Sequence, residues 1–388
     1  MPDLFKSLGL AVSASVFTLS AWAANVSPAQ QADVWFTQAV ASPTVPGINV
    51  AVADTGGVVW AKGYGYADLE NQVPMSPKTK MRIGSVAKLI TAAGLMRLYD
   101  EGKIDLDKPV SEYVPYWPKD KPVMTLRQLT SHTAGIRHYK EGADEFLYNR
   151  PFADVKAGVE LFADDPLLYL PGEGHSYSTF AWTLISAVME GADGFYVGNG
   201  RDFHQIIQQE VFTPLQMQDS AFDDQYQIIS NRQRPYSVKE GKLINSPQTD
   251  HSYKWAGGGF LATPSDISRF AVAHTQGEYL KPDTVKQMFT KAKLNNGQEV
   301  NFGIGWMVGF DDIKDGKKYR DDHEAQTMMA NMPHAVMHSG GSMGGITMTI
   351  LCLDHQRAVT VVKNVDGDNS ANVFRLALQT LSAYHNAS

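Results

Sequence analysis

Cysteine is nearly absent from this chain. Cys352 stands alone among 388 residues, which excludes an intramolecular disulfide and any metal site built on paired cysteines. It lies in the apolar run Thr347-Met348-Thr349-Ile350-Leu351-Cys352-Leu353 and reads as a small buried hydrophobe, not a nucleophile. A basic excess is missing too. Lys+Arg number 34 against 41 Asp+Glu, for a formal net charge of −7, and a nucleic-acid partner is excluded on that balance. Charge of either sign is sparse at 19%, beside 43% hydrophobic residues, so the chain is built to fold. Beyond residue 22 no run reaches the roughly 18–20 apolar residues that a membrane span needs. Internal repeats, low-complexity tracts and charge blocks are also missing.

At roughly 100–200 residues per domain, the length predicts two domains, or one with a large insertion. Lys6 precedes an apolar run over 8–22 that ends Ala21-Trp22-Ala23-Ala24, a small-x-small pattern. This predicts a signal peptide over 1–23 with cleavage after Ala23 or Ala24. The expected location is therefore exported: periplasmic in a Gram-negative cell, secreted otherwise. Residues 48–53 and 58–61, joined by Asp54-Thr55-Gly56-Gly57, read as two strands. From Ile83 onward Leu89, Ala92, Ala93, Leu95, Met96 and Leu98 recur at helical spacing, with Gly102 as the stop. The middle is helical and loop-rich, with a strong helix over 180–189. Thr263-Pro264-Ser265-Asp266 is a helix start, with a capping Thr and Pro at the first position. Two β-rich runs, 346–353 and 358–365, and a helix over 371–384 close the chain. Strands near both ends joined by short turns predict an α+β fold with an antiparallel sheet. The expected division is 24–105 plus 290–388 as the sheet domain and 106–289 as an inserted helical subdomain.

Ser85-Val86-Ala87-Lys88 is the one Ser-x-x-Lys in the chain. On a helix, positions three apart share a face, so Lys88 can reach the Ser85 hydroxyl. The helix N-terminus brings free N–H groups and a positive dipole end to the same point. A buried lysine can lose its proton near neutrality and act as a base. Taken alone, the motif equally describes a capping serine and a solvated lysine. Tyr177-Ser178-Thr179 follows the turn Pro171-Gly172-Glu173-Gly174 and precedes a helix, where a tyrosine can serve as base or proton shuttle, or simply pack. His338-Ser339-Gly340-Gly341 is a glycine-rich strand edge that lets a substrate approach and offers N–H donors.

Two rivals are weaker. Gly340-Gly341-Ser342-Met343-Gly344 spells the G-x-S-x-G nucleophile elbow, but an elbow runs from strand into helix, and residues 346–350 are β-patterned. His334 with His338, or His132 with His138, suggests a metal, yet no carboxylate completes a ligand set and 334–338 reads as strand.

Taken in order, the serine–lysine, tyrosine and histidine–serine–glycine elements resemble the serine β-lactamase and penicillin-binding-protein superfamily on its class C-like side. The likeness is greatest to its mitochondrial serine β-lactamase-like branch and bacterial relatives. Leu129-Thr130-Ser131-His132-Thr133-Ala134-Gly135-Ile136-Arg137-His138-Tyr139 and Ser252-Tyr253-Lys254-Trp255-Ala256-Gly257-Gly258-Gly259-Phe260-Leu261 belong to the same likeness, which runs over about 46–365. The resemblance implies a sheet flanked by N- and C-terminal helices with a helical subdomain between. It also implies Ser85 as the acylated nucleophile, and Lys88 and Tyr177 as handlers of its proton. The N–H groups of Ser85 and Gly341 would form the oxyanion hole, with His338 a fourth catalytic residue and Ser339 and Thr179 beside Gly341 as substrate-binding residues. No metal or organic cofactor is implied. Two positions depart from the superfamily: Thr179 stands where Asn is usual, and His338 where Lys is usual. The second removes a fixed positive charge that would hold a substrate carboxylate. The expectation is an exported serine hydrolase acting on an ester, amide or peptide, with weak or no β-lactamase activity. The alternatives are a β-lactamase or D-Ala-D-Ala carboxypeptidase, and a non-catalytic scaffold of the same fold. The expected partner is a small-molecule or peptide substrate.

Overall fold

The computed structural model describes residues 26–314, 316 and 319–387. The proposed signal peptide falls outside the described residues. The core of the fold is a seven-stranded antiparallel sheet. Its strands are β1 (Gly47–Asp54), β2 (Gly57–Asp68), β3 (Val73–Pro74), β4 (Met307–Val308), β5 (Ala335–Ser342), β6 (Gly345–Cys352) and β7 (Arg357–Lys363), in the spatial order β3-β2-β1-β7-β6-β5-β4. The N-terminal hairpin is thus completed by the C-terminal strands, with Val50 of β1 opposite Val361 of β7. This is the α+β antiparallel class that the run of strands and short turns predicts.

Nearly every residue of β1 is buried, because helices cover both faces of the sheet. On one face lie α1 (Pro28–Val40) and α5 (Val373–Asn386). Phe36, Phe374, Leu378 and Leu381 pack there on Ile48, Val50, Ile350 and Val361. On the other lies α4 (Pro264–Ala273), whose Ser268 hydroxyl donates to the Ala51 carbonyl at 3.1 Å. Helix α4 starts as its sequence predicts, with the Thr263 side chain accepting from the Asp266 N–H. Helix α1 was not anticipated. A capping box at Ser27 and Gln30, with Pro28 at the first position, sets its start.

Two further helices carry the site. α2 (Ala87–Asp100) is buried along most of its length and ends before Gly102, at φ +74°. α3 (Thr179–Asp193) is capped by Ser178 and stopped by Gly194 at φ +92°. Leu89, Ala92 and Met96 of α2 share one hydrophobic cluster with Trp182, Ile185 and Met189 of α3. That packing fixes the two helix N-termini, and the residues beside them, against each other. Among the described residues no helix is long and apolar enough to cross a membrane.

Candidate active site

Ser85 lies in a 3-10 turn, Gly84–Val86, that leads into α2. The turn presses against β5, and glycine makes this contact possible from both sides. Gly84 has φ +52°, and a Cβ there would meet the Gly341 backbone at 2.6 Å. A Cβ on Gly340 would lie 1.9 Å from the Ile83 carbonyl oxygen and 3.1 Å from the Ser85 nitrogen. The backbone of β5 therefore runs directly beside the serine turn, which brings Gly341 next to Ser85. Gly340→Ala is expected to push the strand away, costing at least about 1–3 kcal/mol of stability and most of the reactivity of Ser85. Thermal unfolding together with active-site labelling would check both; an alanine variant with native labelling would refute this role of Gly340.

Lys88 follows one turn on. It is fully buried, and its Nζ lies 3.0 Å from Ser85 Oγ, 3.2 Å from Thr179 Oγ1 and 2.6 Å from the Gly257 carbonyl. No carboxylate pairs with it in the described ion pairs. Burial, and next the charge of Lys254, hold its pKa well below the ordinary lysine value. A neutral amine has two N–H donors and one lone pair. Gly257 O can only accept, and Thr179 Oγ1 accepts the second N–H. The remaining lone pair then faces the Ser85 hydroxyl, which is the arrangement of a base poised to take its proton.

Tyr177 completes the group. The Lys88 Nζ sits 5.0 Å from its ring centroid, and the Ser85 side chain lies near its hydroxyl. Burial pushes the phenol well above its ordinary pKa, so Tyr177 remains protonated. Two histidines hold the ring: His132 at 4.4 Å and His138 edge-on at 5.7 Å between centroids. The Nδ1 atoms of these two imidazoles accept from the backbone N–H groups of Ser178 and Thr179, at 3.1 and 3.2 Å. Both rings must therefore carry their proton on Nε2. Burial keeps them neutral, with His138 pushed down to about 4. His132 adopts φ +62°, a left-handed conformation that a non-glycine residue rarely takes. The strain falls on the residue that stacks on Tyr177.

The third motif lies on β5. His338 is buried, and its Nδ1 donates to the Ser339 carbonyl at 2.5 Å. Burial, then the charge of Lys88, lower its pKa to about 3. It stays neutral, so no fixed cation stands at this position. Ser339 and Gly341 are exposed at the strand edge. The structure thus brings together Ser85, Lys88, Tyr177, Thr179 and the His338–Gly341 strand.

It separates the rivals. Ser342 is buried at the end of β5, and its chain continues into a strand, not a helix. His334 is exposed on an Asp354 pair while His338 is buried. His132 and His138 serve Tyr177. Lys254 was legible only as part of a motif. It is buried among the rings of Tyr139, Phe146 and Tyr253, and its pKa is lowered to about 7 by burial and Arg82.

Comparison with known proteins identifies relatives of the chain as a whole. A family model described as Beta-lactamase matches residues 32–383. The serine beta-lactamase-like protein LACTB, mitochondrial, of Homo sapiens is 29% identical over 406 residues, covering 82% of this chain and 71% of that protein. A teichoic acid D-alanine hydrolase of Staphylococcus aureus is 28% identical over 326 residues, covering 84% and 72%. Among solved structures, a D-amino acid amidase from Ochrobactrum anthropi SV3 superposes with a TM-score of 0.73 at 20% identity, over 93% of this chain and 99% of that one.

Proposed function

The chain belongs to the beta-lactamase family, and on that footing we propose that it is a serine hydrolase working through a Ser85 acyl-enzyme. The observation that carries this is Lys88: buried, without a carboxylate partner, and hydrogen-bonded to Ser85 Oγ. Neutral Lys88 takes the Ser85 proton as Oγ attacks the substrate carbonyl carbon. The N–H groups of Ser85 and Gly341 receive the oxygen as it becomes negative. The tetrahedral adduct collapses, the bond to the leaving group breaks, and that group takes a proton from the Tyr177 hydroxyl, which recovers it from the Lys88 ammonium. Water then attacks the Ser85 ester by the same route in reverse. Tyr177 and Lys254 both belong to the proposed 106–289 insert.

The neutral His338 argues for a substrate with no carboxylate to be held at that edge, which favours an ester or amide over a penicillin or cephalosporin. One relative named as a D-alanine hydrolase favours a small D-aminoacyl group. Turnover of short D- and L-aminoacyl esters beside a chromogenic cephalosporin tests this. The expected result is an ester preferred by at least about a hundredfold in kcat/KM, with the acyl-enzyme visible by intact mass. Cephalosporin turnover near the diffusion limit would reverse the order, and no acylation by any substrate would leave the scaffold reading. Export, with cleavage after Ala23 or Ala24, belongs to the same proposal; a secreted form that retains Met1 would refute that part.

A further inference from the structure

The lone cysteine is not solitary in space. Cys352 is the last residue of β6 and fully buried, His355 lies in the exposed turn that joins β6 to β7, and His385 lies in the last turn of α5. Cys352 Sγ is 3.1 Å from His355 Nδ1. The His355 and His385 rings stack at 3.9 Å between centroids, 16° from parallel. One ligand atom from each of the three lies within 4.8 Å of the other two, and no other set of three or more such groups occurs among the described residues. His385 Nε2 is buried with no hydrogen-bond partner, which is costly for an imidazole nitrogen unless something occupies its lone pair or takes its proton.

We propose that Cys352, His355 and His385 form a binding site for a divalent ion of the zinc class, which ties the C-terminal helix to the β6–β7 turn. The donor set is one thiolate and two imidazoles, the mixture that borderline metals of this class select. Bonds of roughly 2.3 Å to sulfur and 2.0–2.1 Å to nitrogen place tetrahedral ligand atoms roughly 3.5 Å apart. The Cys352–His355 pair already stands near that spacing. The rings lie nearly parallel, so one must tilt for a nitrogen of each to converge on one ion. His355, exposed on a turn, is the one free to do so. The thiol gives up its proton to the solvent on binding. The fourth position is left to water at the exposed side.

Arg357 lies beside the cluster, bonded to the Tyr384 carbonyl and near Asp54. Its charge opposes a cation and favours the thiolate that offsets it. Asp354, in the same turn, is engaged by His334 at 2.7 Å. The site is remote from the chemistry. Gly341 pairs with Ile346, at the far end of the strand that Cys352 terminates, and roughly 20 Å of strand separates the two. The ion's role is structural. α1 packs on α5, and α5 packs on β6 and β7, so fixing the end of α5 secures one whole face of the sheet.

The test is titration of the metal-free full-length mature protein with Co²⁺. The expected result is one equivalent bound, with a sulfur-to-cobalt charge-transfer band in the near ultraviolet. Cys352→Ser should abolish the band, and His355→Gln/His385→Gln should weaken binding at least about tenfold. Zn²⁺ in excess should raise the Tm of the wild type by a few degrees and leave that of the double variant unchanged. Labelling of Ser85 should be the same in all forms. No charge-transfer band in the wild type overturns the proposal, as does a band that survives intact in the double variant. Should Cys352→Ser fail to fold, the double variant decides alone, because it keeps the thiol and every backbone contact of the turn and helix.

Discussion

Replacing Ser85 with alanine is expected to abolish covalent labelling by a fluorophosphonate, with one adduct on the wild type and none on the variant by intact mass. Replacing Lys88 with methionine is expected to leave the nucleophile in place and slow its labelling by on the order of a thousandfold or more, the range that a positioned general base supplies. The argument rests on how few options the lysine has. Its three neighbours are a carbonyl, a threonine hydroxyl and the serine. Methionine fills the buried volume but offers no lone pair, so the Ser85 proton has no acceptor on that side. The Tyr177 phenol cannot replace it, because burial holds that group protonated. Thr179→Ala provides an internal comparison: it removes one acceptor from the Lys88 amine without removing the base, and its cost should be smaller by one to two orders of magnitude. Equal adducts on wild type and Ser85→Ala would transfer suspicion to Ser342. Labelling that is undiminished in Lys88→Met would end the lysine-base mechanism even with Ser85 confirmed.

Much of this site is readable in the sequence, because its parts obey local rules. Ser85 and Lys88 are one helical turn apart, Tyr177 stands between a glycine turn and a helix, and the glycines of β5 lie at the edge of a strand run. Those relations live within ten residues of sequence. The burial that lowers the Lys88 pKa does not, since it comes from α3 and from the 255–258 segment, which follow it by some ninety and one hundred seventy residues. Likewise the reason for Gly340 is the Ile83 carbonyl, a contact with no trace in the local pattern. His132 and His138 showed a spacing that suggested a metal; their true partners, the N–H groups of Ser178 and Thr179, lie more than forty residues away. The apolar run around Cys352 marks it as buried, but the helix end that brings His385 beside it is set by packing across the sheet. The main strands and helices were foreseen where periodicity was strong. Helix α1, with only Ala32 and Phe36 buried, has too narrow an apolar stripe to declare itself.

Acylation of the wild type is expected to rise with pH along a single limb that lies well below the ordinary lysine range, then to level off. The limb is the deprotonation of Lys88. Burial, which disfavours the ammonium, is its main cause, and the positive charge of Lys254 adds to it. The sign follows directly: a lowered pKa puts the neutral, competent form at lower pH, so activity is lost as pH falls through it. Tyr177 contributes no second limb near neutrality, since its pKa is displaced upward. His338, lowered to about 3, contributes none above mildly acidic pH. Lys254→Met removes the cation while keeping an apolar stem among Tyr139, Phe146 and Tyr253. The Lys88 pKa should then rise and the limb move to higher pH, while the plateau rate changes little. The comparison is clearest below pH 7, where Lys254 still carries its charge. A purely structural role for Lys254 would give the opposite pattern, a lower plateau with the limb unmoved. A limb in the ordinary lysine range for the wild type would mean that Lys88 is charged at neutral pH, and the base would have to be sought elsewhere.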